Sequence, residues 1–145
     1  MQFKDFYEGQ MLLAGHYTIT EKEILEFANA YDPQWFHTDI DRANKGPYGG
    51  LIASGWQTSS IAMRLVVDAF LKDSNSTGSP GLAYLRWPAP VRPGDTLSVL
   101  TNIKQVRTSS SKPDVGIMLW QWQVFNADKV LVLELEATSF FDLTL

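Results

Sequence analysis

The chain has 145 residues, 45% of them hydrophobic and 19% charged, which suits one globular domain with a single core, and residues 1–145 are read as that one domain. Its net charge of −4 comes from 12 basic and 16 acidic residues, and the basic ones are scattered, which excludes the cationic face of a nucleic-acid binder. With no cysteine, disulfides, thiolate metal sites and cysteine nucleophiles are excluded. The opening MQFKDFYEGQ is polar where a secretory leader is basic and then apolar, and no apolar run reaches membrane-spanning length. A soluble, cytoplasmic protein without a membrane partner is the expectation.

In chain order, Phe3, Phe6, Tyr7 and Met11–Leu13, broken by Gly9 and Gly15, imply a turn-rich entry. A short strand is expected over Ala14–Ile19, with His16 a half-exposed residue on it. Thr20-Glu21-Lys22-Glu23 has the capping-box pattern, and Ile24, Phe27 and Ala28 follow at helical spacing, so a helix is expected over roughly 20–30. Pro33 disfavours a helical Asp32, which ends that helix and puts Asp32 in the next loop. Asp39 reads as the cap of one helical turn through Asn44, and Gly46, Pro47, Gly49 and Gly50 then break all regularity.

From Gly55 to Leu71 helical spacing returns: Ile61, Leu65 and Ala69 run beside Ala62, Val66 and Phe70. So wide an apolar arc implies a helix buried on more than one side. The polar stretch Asp73–Gly81 is expected to be a loop. Strands are expected over Leu82–Trp87, Thr96–Arg107, Val115–Asn126 and Val130–Leu143, the last two forming a hairpin. Pro88, Pro90 and Pro93 mark a strand edge or kink. In Thr96–Arg107, Leu97, Val99, Thr101 and Ile103 share one face, and Leu100 is the apolar exception on the other. One long helix with a run of antiparallel strands is an α+β pattern.

The chemistry concentrates in Asp32–Gly55, DPQWFHTDIDRANKGPYGGLIASG. Asp32 and His37, five residues apart, read either as an acid/base pair or as a helix-end carboxylate beside a satisfied loop histidine. The flanking aromatics Trp35 and Phe36 imply surroundings that raise a carboxyl pKa. The amide of Gly55, opening the second helix, offers an oxyanion donor. Ser54 suits a helix cap and lies in no Ser-His-Asp arrangement. Gly49 and Gly50 read first as turn residues. With His16 and His37 the only histidines, no metal site is expected.

DPQWFHTDIDRA, the Gly-rich turn, LIASGWQTSSIAMRL and PVRPGDTL together resemble the MaoC-like dehydratases, which include the (R)-specific enoyl-CoA hydratases. Asp32 and His37 keep that family's spacing in Asp-x-Asn-Pro-x-His, and Gly55 falls at its helix-opening glycine. The departures are Gln34 for the family's Asn, Trp35 for its Pro, Ser54 for a common His, and Met63 for a serine found in some hydratases. The resemblance implies a hotdog fold, a bent antiparallel sheet wrapped around a long central helix, in a homodimer or higher homo-oligomer. It implies hydration of a 2-enoyl thioester or dehydration of a 3-hydroxyacyl thioester in fatty acid metabolism, on coenzyme A or acyl-carrier protein, with no cofactor beyond the thioester substrate. Asp32, His37 and Gly55 become the catalytic candidates, and Gln34, Trp35, Gly50, Ser54 and Trp56 the substrate-binding ones. Arg64, Arg86, Arg92 and Arg107 are either surface charges or contacts for coenzyme A phosphates. The same groups would also serve an acyl-CoA thioesterase, and Gln34 and Trp35 leave room for a non-catalytic thioester-binding module.

Overall fold

A computed structural model describes residues 1–145. Five strands, β1 (Met11–Thr18), β2 (Ser76–Arg86), β3 (Thr96–Thr108), β4 (Val115–Phe125) and β5 (Leu131–Asp142), pair antiparallel in the order β1-β3-β4-β5-β2. The alternation expected in β3 is realised: Leu97, Val99, Thr101 and Ile103 are buried, whereas Ser98, Leu100 and Asn102 are half-buried. The hairpin between β4 and β5 forms where Lys129 adopts a positive φ of 61° and the Asn126 side chain accepts from the amides of Asp128 and Val130. Trp120, Val124, Leu133 and Phe141 from these two strands lie at the centre of the core.

Two strand boundaries depart from expectation. β1 begins at Met11 rather than Ala14 and leaves His16 exposed. Asp73–Gly81 is not all loop: Ser76–Gly81 already pair with Thr138–Phe141 of β5. This is one of the two edges of the sheet, exposed along most of its length and broken by register shifts at Gly78 and Gly81. Such a strand carries no apolar alternation, so its sequence shows only turn chemistry.

The helices are α1 (Glu21–Tyr31), α2 (Trp35–Thr38), α3 (Ile40–Asn44) and α4 (Gly55–Val66). Thr20 caps α1: its hydroxyl accepts from the Glu23 amide at 3.2 Å and donates to the Glu23 carboxylate at 3.0 Å. Asp39 caps α3 through the Arg42 amide. The helix expected over Gly55–Leu71 spans those residues but is less regular than the spacing implies. α4 has twelve residues, and a five-residue π turn, Val67–Leu71, extends it. Ala62, Val66 and Phe70 form its core stripe, while Ile61 and Leu65 are half-buried and Met63 and Ala69 exposed. The burial is therefore one-sided, against β1, β3 and β5. This packing holds the first turn of α4 beside the segment that follows β2, where the Ala53 amide donates to the Val91 carbonyl at 2.8 Å.

Candidate active site

α1 stops at Asp32, whose φ of −149° and ψ of 66° leave the helical region just before Pro33. The next residues do not stay a loop. Gln34 starts the single turn α2, with the His37 amide donating to the Gln34 carbonyl at 2.9 Å. That turn folds His37 back toward Asp32, so His37 Nε2 lies 3.3 Å from Asp32 Oδ2. The imidazole is buried and its edge is covered by Phe36, the ring centroids 4.4 Å apart.

The Ile52 backbone fixes the orientation of the ring. His37 Nδ1 sits 2.7 Å from the Ile52 carbonyl oxygen, and the Ile52 amide donates to the Phe36 carbonyl at 3.2 Å. A carbonyl only accepts, so Nδ1 carries the proton and Nε2 is the nitrogen presented to Asp32. In the neutral ring Nε2 is an acceptor, as is the carboxylate oxygen. Two acceptors this close call for a shared donor, such as a water donating to both.

Both carboxylate oxygens of Asp32 are held. Gln34 Nε2 donates to Oδ1 at 2.7 Å, and Ser54 Oγ donates to Oδ2 at 2.8 Å. Burial pushes the Asp32 carboxyl up, but the Gln34 and Ser54 donors, joined by the positive charge of His37 whenever that ring is protonated, outweigh it and hold the group below its ordinary value. This reverses the raised value implied by the aromatic flanks. Trp35 turns away, packing on Gly46 and lying 4.4 Å beneath the Arg42 guanidinium.

Ser54 occupies the N-cap position of α4 without capping it, because its fully buried hydroxyl is directed to Asp32. The amide of Gly55, first in the helix, has no intrahelical acceptor by position and sits at the positive end of the helix dipole. His37 and Gly55 share a cleft of about 250 Å³ with Tyr48, Thr58, Trp87 and Val132. Asp32 is not among the cleft-lining side chains and touches the cleft through His37. A larger hollow of about 580 Å³, between β1, α1 and α4, contains neither Asp32 nor His37.

The structure brings Asp32, His37, Ser54 and Gln34 into contact, with Gly55 adjacent. Trp56 is exposed and meets the Trp87 ring edge-on at 5.2 Å. Gly50 lies beside Asn44 and Arg92, and Arg92 donates to the Tyr48 carbonyl, bracing the Gly-rich turn. Arg64 and Arg86 are engaged by Asp68 and Glu134. Trp87, Tyr48, Thr58 and the Ile52 carbonyl escaped the sequence reading. Only Trp87 left a hint, as a large aromatic between the end of a strand and two prolines.

Residues 6–118 match the family profile of the MaoC like domain. The chain belongs to the MaoC-like family. Over 134 residues it is 27% identical to YdeM of Bacillus subtilis (strain 168), an uncharacterised protein, covering 92% of this chain and 94% of that one. Over 88 residues it is 36% identical to 3-hydroxyacyl-thioester dehydratase Z of Mycobacterium tuberculosis (strain ATCC 25618 / H37Rv), covering 59% of this chain and 58% of that protein. The chain thus spans little more than half of that dehydratase. The crystal structure of the MaoC-like dehydratase from Rhodospirillum rubrum superposes with a TM-score of 0.89 at 34% identity, covering 96% of this chain and 94% of that one. In this MaoC-like chain, two of the departures noted in the sequence converge on one group: Gln34 and Ser54 are the two side chains that donate to Asp32.

Proposed function

We propose that this chain is a hydro-lyase that adds water to the double bond of a trans-2-enoyl thioester and, in reverse, dehydrates a (3R)-hydroxyacyl thioester. The reading rests on the two acceptors, Asp32 Oδ2 and His37 Nε2, set 3.3 Å apart beside an uncapped helix N-terminus. A water between them donates one hydrogen to each and keeps a lone pair for C3. As the C3–O bond forms, one water proton passes to Asp32 and the π electrons move to the thioester oxygen. There the Gly55 amide stabilises the enolate; such a donor contributes about 3–4 kcal/mol in other enzymes. His37 holds the second hydrogen and relays the borrowed proton to C2, completing the hydroxyacyl product. The lowered pKa of Asp32 keeps the carboxylate ionised, and so able to accept a proton, at neutral pH.

Of the residues proposed to bind substrate, Gln34 and Ser54 act by holding Asp32, Trp56 supports the Trp87 ring, and Trp35 and Gly50 lie outside the cleft lining. The carrier is coenzyme A or acyl-carrier protein, no cofactor takes part, and the working unit is a cytoplasmic homodimer or higher homo-oligomer in fatty acid metabolism, its sheet bent around α4. The test is a panel of enoyl-CoA thioesters followed by loss of conjugated-thioester absorbance, with free thiol measured in parallel. Hydration abolished by Asp32→Asn and His37→Ala is expected. Thiol release without hydration would replace this reading with a thioesterase.

A further inference from the structure

Gly55 does more than leave the oxyanion position open. A Cβ built there would lie 2.4 Å from Cε2 and 2.5 Å from Cδ2 of Trp87, so the bond shared by the two indole rings rests directly on the Gly55 Cα. The indole is fixed in that position. Its Nε1 donates to Ser59 Oγ at 3.3 Å, Ser59 Oγ donates to the Gly55 carbonyl at 2.9 Å, and the Trp56 ring meets it edge-on. Behind it the backbone is restrained by Pro88 and Pro90 and by the bond between Ala53 and Val91. The indole therefore forms one wall of the cleft beside Gly55.

The cleft it bounds, about 250 Å³, falls below the roughly 300–1,000 Å³ of pockets that enclose a drug-sized ligand. At roughly 30 Å³ per water-sized unit it takes about eight heavy atoms, which a thioester group with about six acyl carbons fills. We propose that Trp87 sets the acyl-chain range of this site: the indole closes the cleft beside Gly55, confines the substrate to short acyl thioesters, and admits longer chains only when it is made smaller. This assignment rests on the thioester reading above.

The test measures binding of saturated acyl-CoA esters, which cannot be hydrated, from butyryl to dodecanoyl, by calorimetry on the wild type, Trp87→Phe and Trp87→Ala, together with kcat/KM for the matching enoyl-CoA series. The wild type is expected to favour the shortest members over decanoyl at least tenfold. Each pair of carbons newly buried in Trp87→Ala is expected to gain roughly tenfold in affinity, with Trp87→Phe intermediate. Binding with the same chain-length profile in all three proteins would overturn the role of Trp87 and leave the thioester reading standing. No binding of any acyl-CoA or of the matching acyl-carrier-protein thioesters would overturn both. Should Trp87→Ala fail to fold, the wild type and Trp87→Phe decide: a wild type that takes decanoyl as well as butyryl overturns the proposal.

Discussion

Two donors serve the Asp32 carboxylate, and they differ in one respect that sets their worth. Ser54 is fully buried, whereas Gln34 is exposed. Removing the buried Ser54 hydroxyl takes away the one protein side chain that donates to Oδ2, so Ser54→Ala is expected to cost the about 1.5–3 kcal/mol of a hydrogen bond to a charged group. In Gln34→Ala solvent replaces the lost donor, and the cost is expected to stay within about 0.5 kcal/mol. The pH dependence follows from the same bond. A carboxyl whose folded pKa lies below its unfolded value adds stability that is fully present above the unfolded value. That stability is lost as pH falls through the lowered one. Without Ser54 the burial that pushes Asp32 up is less opposed, so the pKa rises and the acid limb of both stability and kcat/KM moves to higher pH. Urea unfolding across acidic to neutral pH reads the stability, and enoyl-CoA hydration reads the rate. Equal costs for the two variants, or an acid limb that does not move in Ser54→Ala, would refute the role given to Ser54.

Other outcomes follow from single contacts. Gly55→Ala drives a methyl into the Trp87 indole and is expected to cost about 1–3 kcal/mol, with a changed near-ultraviolet dichroism from the displaced ring. Trp120→Ala empties the centre of the core and strips the Ser139 hydroxyl of its donor, an expected loss of about 3–5 kcal/mol in urea unfolding. The nitrogen chemical shifts of the His37 ring at neutral pH are expected to report a protonated Nδ1, the state the Ile52 carbonyl selects. A neutral ring protonated at Nε2 instead would remove the paired-acceptor geometry.

Much of this fold is legible in the chain because burial on one face imposes a period of two. Leu97 to Ile103 and the paired runs around Asn126 show that period plainly. Ser76–Gly81 hides it, since an edge strand packs against nothing on its exposed faces. The one-sided burial of α4 and its π turn is hidden too, because the exposed Met63 and Ala69 look as apolar as the residues that face the sheet. At the site, the spacing of Asp32, Pro33 and His37 carries over into real proximity because one helical turn closes between them. The sign of the carboxyl shift does not carry over. Only some sequence neighbours count: Gln34 stays on the carboxylate, Trp35 leaves for Gly46, and Ser54 arrives from 22 residues away. The Ile52 carbonyl that orients His37 is backbone, and backbone acceptors leave no mark on residue type.

The central claim is that Asp32 and His37 together hold a water for addition to a conjugated thioester. The most direct measurement is the hydration rate of a short trans-2-enoyl-CoA with wild type, Asp32→Asn and His37→Ala, each shown by its thermal melt to be folded. Hydration by the wild type, reduced at least about a hundredfold in either variant, is the expected result. A wild type that leaves the double bond intact, or an Asp32→Asn protein that hydrates it at the wild-type rate, would contradict the account.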